Sequence, residues 1–136
     1  MADTLKLEIV TPETTIYSED VEMVTLPGSE GEAGIYPNHV PLMTRVQAGE
    51  IIVNRSGTEE VVAIGEGFAE ITGDHIAILT DNAANSADID EAIAEEARRK
   101  AEARLAEGDI SEEEAKALNQ AILYSAAQIK AKRRRG

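Results

Sequence analysis

Near residue 85 the spacing of apolar residues in this chain changes from two to three and four. Before that point they come in short alternating bursts. Leu5, Leu7 and Ile9 face one way while Lys6, Glu8 and Val10 face the other, and Val21, Met23 and Thr25 alternate with Glu22, Val24 and Leu26. Further runs follow at 51–53, 61–64, 68–71 and 76–79, separated by the turn signals Ser56-Gly57, Gly65-Glu66-Gly67 and Gly73-Asp74. A period of two puts successive side chains on opposite faces of a strand. Many short runs with glycine-bearing turns read as an all-β sandwich or barrel. With one Phe, three Tyr and no Trp, the core must be built from Val, Ile, Leu and Ala.

After Asn85 the period is helical. Asp88 followed by Glu91 reads as a capping-box start, and Ile89, Ile93, Ala97, Ala101 and Leu105 recur at four-residue steps. This predicts a helix from about 88 to 106, stopped at Gly108, a residue suited to a left-handed cap. Ser111 and Glu114 form a second capping box, and Ala115, Leu118, Ile122, Ala126 and Ile129 predict a second helix over about 112–132. The short link makes an antiparallel hairpin. The chain thus divides into a β domain, 1–87, and a helical hairpin, 88–136. The hairpin's seam is largely Ala, which buries little area, while Ala, Glu, Lys and Arg give each helix strong propensity of its own. Helices that persist while their docking is marginal suit a tail with two positions.

Charge is divided at the same place. Residues 1–87 carry 15 acids and 3 bases, and residues 88–136 carry 11 acids and 10 bases, within a net charge of −13. An acidic body repels nucleic acid and anionic headgroups. Five bases close the chain: Lys130, Lys132, Arg133, Arg134 and Arg135. They suit the helix dipole as a solvated helix end, and they equally suit docking on an acidic protein surface. There is no cysteine, so no disulfide or thiolate metal site, and His39 and His75 are too few and too far apart for a metal set. No apolar run is long enough to span a membrane. The first residues read as a strand rather than a targeting peptide, which points to a cytosol-like compartment.

The most punctuated stretch is Leu26-Pro-Gly-Ser-Glu-Gly-Glu-Ala-Gly-Ile-Tyr-Pro-Asn-His-Val-Pro-Leu42. Its glycines are not a phosphate loop, because no Gly-Lys-Ser/Thr ending and no helix follow. No nucleophile accompanies His39, so general-base work lacks a substrate activator. The prolines bias Tyr36 and Val40 to extended geometry. The stretch reads as a rigid, pre-shaped loop carrying Glu30, Glu32 and His39, and such loops suit protein recognition because they lose little entropy on docking. Two other classes remain beside this reading: a free-standing β-sandwich enzyme using Glu32 and His39, and a small-ligand module. Few aromatics are present for stacking on sugars or bases.

This stretch resembles the pattern PGxEGxxGxxPxHxPL of the epsilon subunit of F-type rotary ATP synthases. Gly65-Glu66-Gly67-Phe68-Ala69-Glu70-Ile71 resembles that family's GGFxEV strand pair, with Glu66 where Gly is common, and Ile78-Leu79-Thr80-Asp81-Asn82-Ala83 resembles its VLADxAE run. The resemblance covers essentially the whole chain. It implies a ten-stranded, two-sheet β-sandwich followed by two helices, in a non-catalytic subunit of the central stalk that turns with the rotor and couples proton translocation to ATP synthesis. The implied partners are the gamma subunit, bound on one side of the sandwich, and the polar loops of the membrane c-ring, met at Glu30, Gly31 and Glu32, with His39 near that foot. The implied location is peripheral, at the cytoplasmic face of a bacterial inner membrane or the stromal face of a thylakoid.

The resemblance also implies helices that either fold on the sandwich or extend into the alpha/beta catalytic head, where they inhibit ATP hydrolysis. Arg98, Arg99, Lys100, Arg104 and the cluster Lys130, Lys132, Arg133, Arg134 and Arg135 would then face an acidic stretch. Some family members bind ATP through I/L-D-x-x-R-A. Here that segment is Ile89-Asp90-Glu91-Ala92-Ile93-Ala94, and an aliphatic Ile93 cannot contact phosphate. No cofactor and no tight ATP binding are expected.

Overall fold

A computed structural model describes residues 4–28 and 31–135, with the side chains of His39 and Arg135 outside the description. Ten strands form two five-stranded sheets, and two helices follow. The first sheet has the order β2 (Thr15–Val21), β1 (Leu5–Val10), β9 (His75–Thr80), β8 (Gly67–Gly73) and β5 (His39–Val46). The second runs β10 (Ala83–Asn85), β7 (Thr58–Ile64), β6 (Gly49–Arg55), β3 (Met23–Gly28) and β4 (Gly31–Ile35). Neighbours are antiparallel except β1 and β9, which are parallel.

The alternation expected from sequence fills the space between the sheets. Leu5, Leu7 and Ile9 from β1 meet Ile76 and Ile78 of β9, and Val24, Ile51, Val53, Val62 and Ile64 come from the second sheet, all buried. Each such side chain contributes about 1.5–3 kcal/mol relative to exposure, which is how a core closes with one buried aromatic, Tyr17.

Four strands were not expected from apolar runs: β2, β4, β5 and β10. The stretch Leu26–Leu42, read as a loop, is the end of β3, then β4, a turn and the start of β5. The run 21–26 also divides. Val21 faces the core from β2, and after Glu22 the core-facing residues are Val24 and Leu26.

A 3-10 turn, Ser86–Asp88, leads to α1 (Glu91–Glu107) and α2 (Glu112–Arg135). Asp90 caps α1, accepting from the Ala92 and Ile93 amides at 2.9 and 3.2 Å, in place of the expected Asp88. Gly108 closes α1 in the left-handed conformation, and Ser111 accepts from the Glu114 amide at 3.1 Å to open α2. α1 buries Ala94 and Ala101, whereas Ile93, placed on the inner face by the four-residue rule, is 69 % exposed. At 100° per residue, each four-residue step turns about 40° past a full turn, so five such positions spread around the helix.

Two devices hold the sheets in register. At one open edge the Tyr17 hydroxyl of β2 donates to Glu60 of β7 at 2.6 Å, while Arg55 of β6 pairs with Glu19 of β2 at 2.9 Å. Burial, then the Glu60 carboxylate, push the Tyr17 phenol well above its ordinary range. The second device is Gly67, opposite Thr80, where any Cβ would fall on the Leu79 carbonyl oxygen.

Two outcomes are expected. The folded chain keeps the Tyr17 proton that the unfolded chain releases near pH ~10, so stability must fall as pH rises past that value. Urea unfolding of Tyr17→Phe at pH ~8 and pH ~11 should show a smaller loss between the two, with an unchanged loss contradicting the assignment. Gly67→Ala should cost about 1–3 kcal/mol, as overpacking does. Wild-type stability in the same denaturation would contradict the close approach.

Candidate interaction surfaces

The sandwich has two outer faces, and the chain treats them differently. On the second sheet, β6 and β7 turn Glu50, Ile52, Val61 and Ala63 outward, since Val53, Ile51, Val62 and Ile64 face in. The C-terminal half of α2 lies on this face. Ala127 and Ala131 pack with Val61, Ala63 and Ile89, joined by Ala84 and Tyr124. Burial raises the Tyr124 phenol.

The basic end of α2 is engaged with the body beneath it. Arg134 makes a two-pronged contact with Glu50, Nε to Oε2 at 2.9 Å, and Lys130 reaches the same carboxylate at 3.7 Å. The Glu50 side chain is only 5 % exposed. Its hydrogen bond and charge raise the Arg134 pKa. Lys132 donates to the Ser86 carbonyl at 3.4 Å, and Arg133 pairs with Glu91 at 3.0 Å across the hairpin. Arg98 and Arg99 form ion pairs one turn back, with Glu95 and Glu96. Arg104 joins the helices through Glu114 at 3.0 Å. The Arg135 side chain lies outside the described residues. Sequence reasoning found these bases and missed Glu50, which gave no local signal.

Among the described residues, no helix covers the outer face of the first sheet. Met43, Phe68 and Leu79 are 66, 47 and 53 % exposed. Arg45 lies 5.4 Å from the Phe68 ring centroid, within cation–π range. An open groove of about 630 Å³ runs beside them, bounded by Val10, Pro12, Arg45, Phe68 and Leu79. At the β5 edge Val40 and Leu42 are exposed as well, Leu42 on the side opposite Met43, while Tyr36 lies beside Gly34 and Met23 of the second sheet. Contiguous patches of this kind mark docking sites, and aromatic, Met and Arg side chains are enriched there. Apart from the β5 edge residues that border it, this surface was not picked out from sequence. Its signal was Phe68 and Leu79 standing where a solvated strand face would be polar.

The expected loop site is divided by the fold. Gly31 and Glu32 begin β4, opposite Gly28 and Pro27, at one end of the second sheet. His39 begins β5 in the other sheet, opposite Gly73, where the Asn38 amide donates to Asp74 at 3.2 Å. The chain climbs β4 between them, roughly 10 Å of strand beyond Glu32. An acid–base pair must be within hydrogen-bond reach, and the backbone sets Glu32 and His39 on strands of different sheets. Glu30 lies outside the described residues. His75 contacts Glu8 across β1 and β9 at 2.6 Å. Among the described residues no group of three His, Asp or Glu could hold a metal, and no helix is long and apolar enough to cross a membrane.

Residues 4–86 match the family described as ATP synthase, Delta/Epsilon chain, beta-sandwich domain. An ATP synthase epsilon chain from Laribacter hongkongensis is 40 % identical over 130 residues, covering 94 % of this chain and 92 % of that one. One from Dehalococcoides mccartyi is 46 % identical over 104 residues, covering 76 % and 74 %. Among solved structures, a chain of the Euglena gracilis mitochondrial ATP synthase superposes with a TM-score of 0.75 at 21 % identity, covering 94 % of this chain and 81 % of that chain. A chain of the Tetrahymena thermophila mitochondrial ATP synthase, from its central stalk and c-ring, gives 0.58 at 12 %, covering 96 % and 97 %. These two share the fold. A sandwich matched over more than half the chain, and epsilon chains at 40 % identity or more that run on into the helices, place the chain in the delta/epsilon chain family of the ATP synthase.

Proposed function

We propose that the chain is a non-catalytic rotor subunit of the central stalk, coupling proton translocation through the c-ring to ATP synthesis, with a helical tail that restrains ATP hydrolysis. The observation that carries this reading is the asymmetry of the two sandwich faces. One is occupied by the chain's own α2, and the other offers Met43, Phe68 and Leu79 to a partner. The gamma subunit takes that apolar face. His39, on the first sheet, belongs with this contact rather than with the foot.

The c-ring contact lies at the β3–β4 end, with Gly31 and Glu32 and the neighbouring Glu30. Carboxylates there pair with basic groups of the polar loops through charge-assisted hydrogen bonds. The bases of α2 serve two surfaces in turn: the second sheet when the hairpin is docked, and an acidic surface of the alpha/beta head when it is extended. Residues 1–87 form the rotor-binding unit and 88–136 the regulatory one. The chain sits peripherally, on the cytoplasmic face of a bacterial inner membrane or the stromal face of a thylakoid. Neither nucleic acid nor the lipid interior is a partner.

The test is Met43→Glu with Phe68→Glu, two substitutions at solvent-facing positions that leave the core intact. The double variant should bind purified gamma subunit at least about tenfold more weakly, a loss of roughly 1.4 kcal/mol, while keeping its circular dichroism spectrum. Unchanged binding would move the gamma contact to another face.

A further inference from the structure

We propose that Glu50 is an internal receptor for the basic tail: its carboxylate holds Arg134 and Lys130, so the docked position of the hairpin is set by an ionic latch that competes with any external acidic surface for the same bases. The apolar part of the seat is small. Ala63, Ala84, Ala127 and Ala131 make up much of it, with Val61, Ile89 and Tyr124 beside them. Such a contact positions α2 without fixing it strongly, because buried area is what sets the apolar contribution.

Glu50 is different in kind. It is a carboxylate with 5 % of its side chain exposed, on the same strand face as Ile52 and opposite Ala63. A charge in that position is tolerated when paired and is costly when one partner is removed. Arg134 supplies two contacts and Lys130 a third. The cost of removing the bases has an outlet, since lifting α2 returns Glu50 to water. Arg134 also feels Glu59 and Glu32. Glu32 pairs with Pro27 at the start of β4, so the latch and the proposed c-ring contact lie on the same sheet.

Salt acts on this balance in one direction. Mobile ions stabilise the separated charges of the undocked state, while the half-enclosed pair is screened less. Raising salt should therefore release the hairpin. An acidic partner that binds Arg134 and Lys130 must first take them from Glu50, so the two engagements exclude each other. This device rests on the docked geometry of the chain itself and not on the identity of the partner.

The experiment is hydrogen–deuterium exchange on the isolated full chain at ~20 mM and ~500 mM salt, a span over which the screening length shrinks several-fold. Protection of the amides over 124–135 should fall with salt in the wild type. In Glu50→Gln and in Arg134→Gln it should be at least about tenfold lower at low salt and nearly salt-independent. The charge swap Glu50→Arg with Lys130→Glu and Arg134→Glu, which reverses both sides of the latch, should restore both protection and its salt dependence. Amides of β6 and β7 report in the same data whether the sandwich is intact. Wild-type protection in Glu50→Gln, or loss that the swap leaves unrescued with the sandwich intact, would overturn the latch. If the swap unfolds the sandwich, the two single glutamine variants decide, because identical salt dependence in them and the wild type would equally overturn it. No partner is present, so failure here would leave the gamma contact standing, and failure of the gamma contact would leave the latch standing.

Discussion

Strand β7 is buried on both faces. Val62 and Ile64 point into the sandwich, while Val61 and Ala63 point out under α2. Its register with β6 therefore fixes two packing layers at once. A slip of one residue would exchange the two sets, placing Val61 and Ala63 in a core shaped for Val62 and Ile64. The β6–β7 turn guards against that slip. Ser56 and Gly57 both take positive φ, 53° and 77°, the combination required by the tight two-residue hairpin whose twist matches its strands. Through that turn Glu50 is brought opposite Ala63, on the face that α2 covers.

The parts of this architecture visible in the sequence are those where burial is strong and local. The alternation in β1 and the apolar runs of β6 to β9 announce strands because their neighbours on both sides are in the same sheet. The strands that escaped are edges or fragments. β4 and β5 carry Gly31, Gly34 and Pro41, which central strands reject but edge strands tolerate, because one side of an edge has no ladder to keep. β2, another edge, turns Ser18, Glu19 and Asp20 to water. The ten-strand count came through family resemblance, not through the period. The unbroken apolar run at 61–64 was a clue of its own, since strands covered on both faces lose alternation.

Charge was visible as a list of residues and opaque as a set of partners. The bases at the end of α2 read as a surface seeking an acid outside the chain. In the docked fold Arg134 has found one inside it, 84 residues earlier in sequence. A lone Glu between Gly49 and Ile51 carries no pattern that marks it as buried, and only tertiary packing brings the two together. The reverse holds for Glu32 and His39. They stand close in sequence and share a motif, yet the climb of β4 sends them to different sheets. Sequence proximity suggested one loop where the fold makes strands of two sheets.

A single physical scheme then links fold to work. One outer face carries an exposed apolar patch at Met43, Phe68 and Leu79, suited to a permanent neighbour. The other is covered by a hairpin whose seat is mostly alanine and whose bases are shared with a buried carboxylate, suited to an arrangement that changes. The most direct measurement is ATP hydrolysis by the reconstituted complex carrying either the full chain or a chain ending at Ala87. The account predicts a several-fold rise on truncation with assembly retained. Equal hydrolysis by two fully assembled complexes would contradict it, and would leave the tail as a passive cover for Val61 and Ala63.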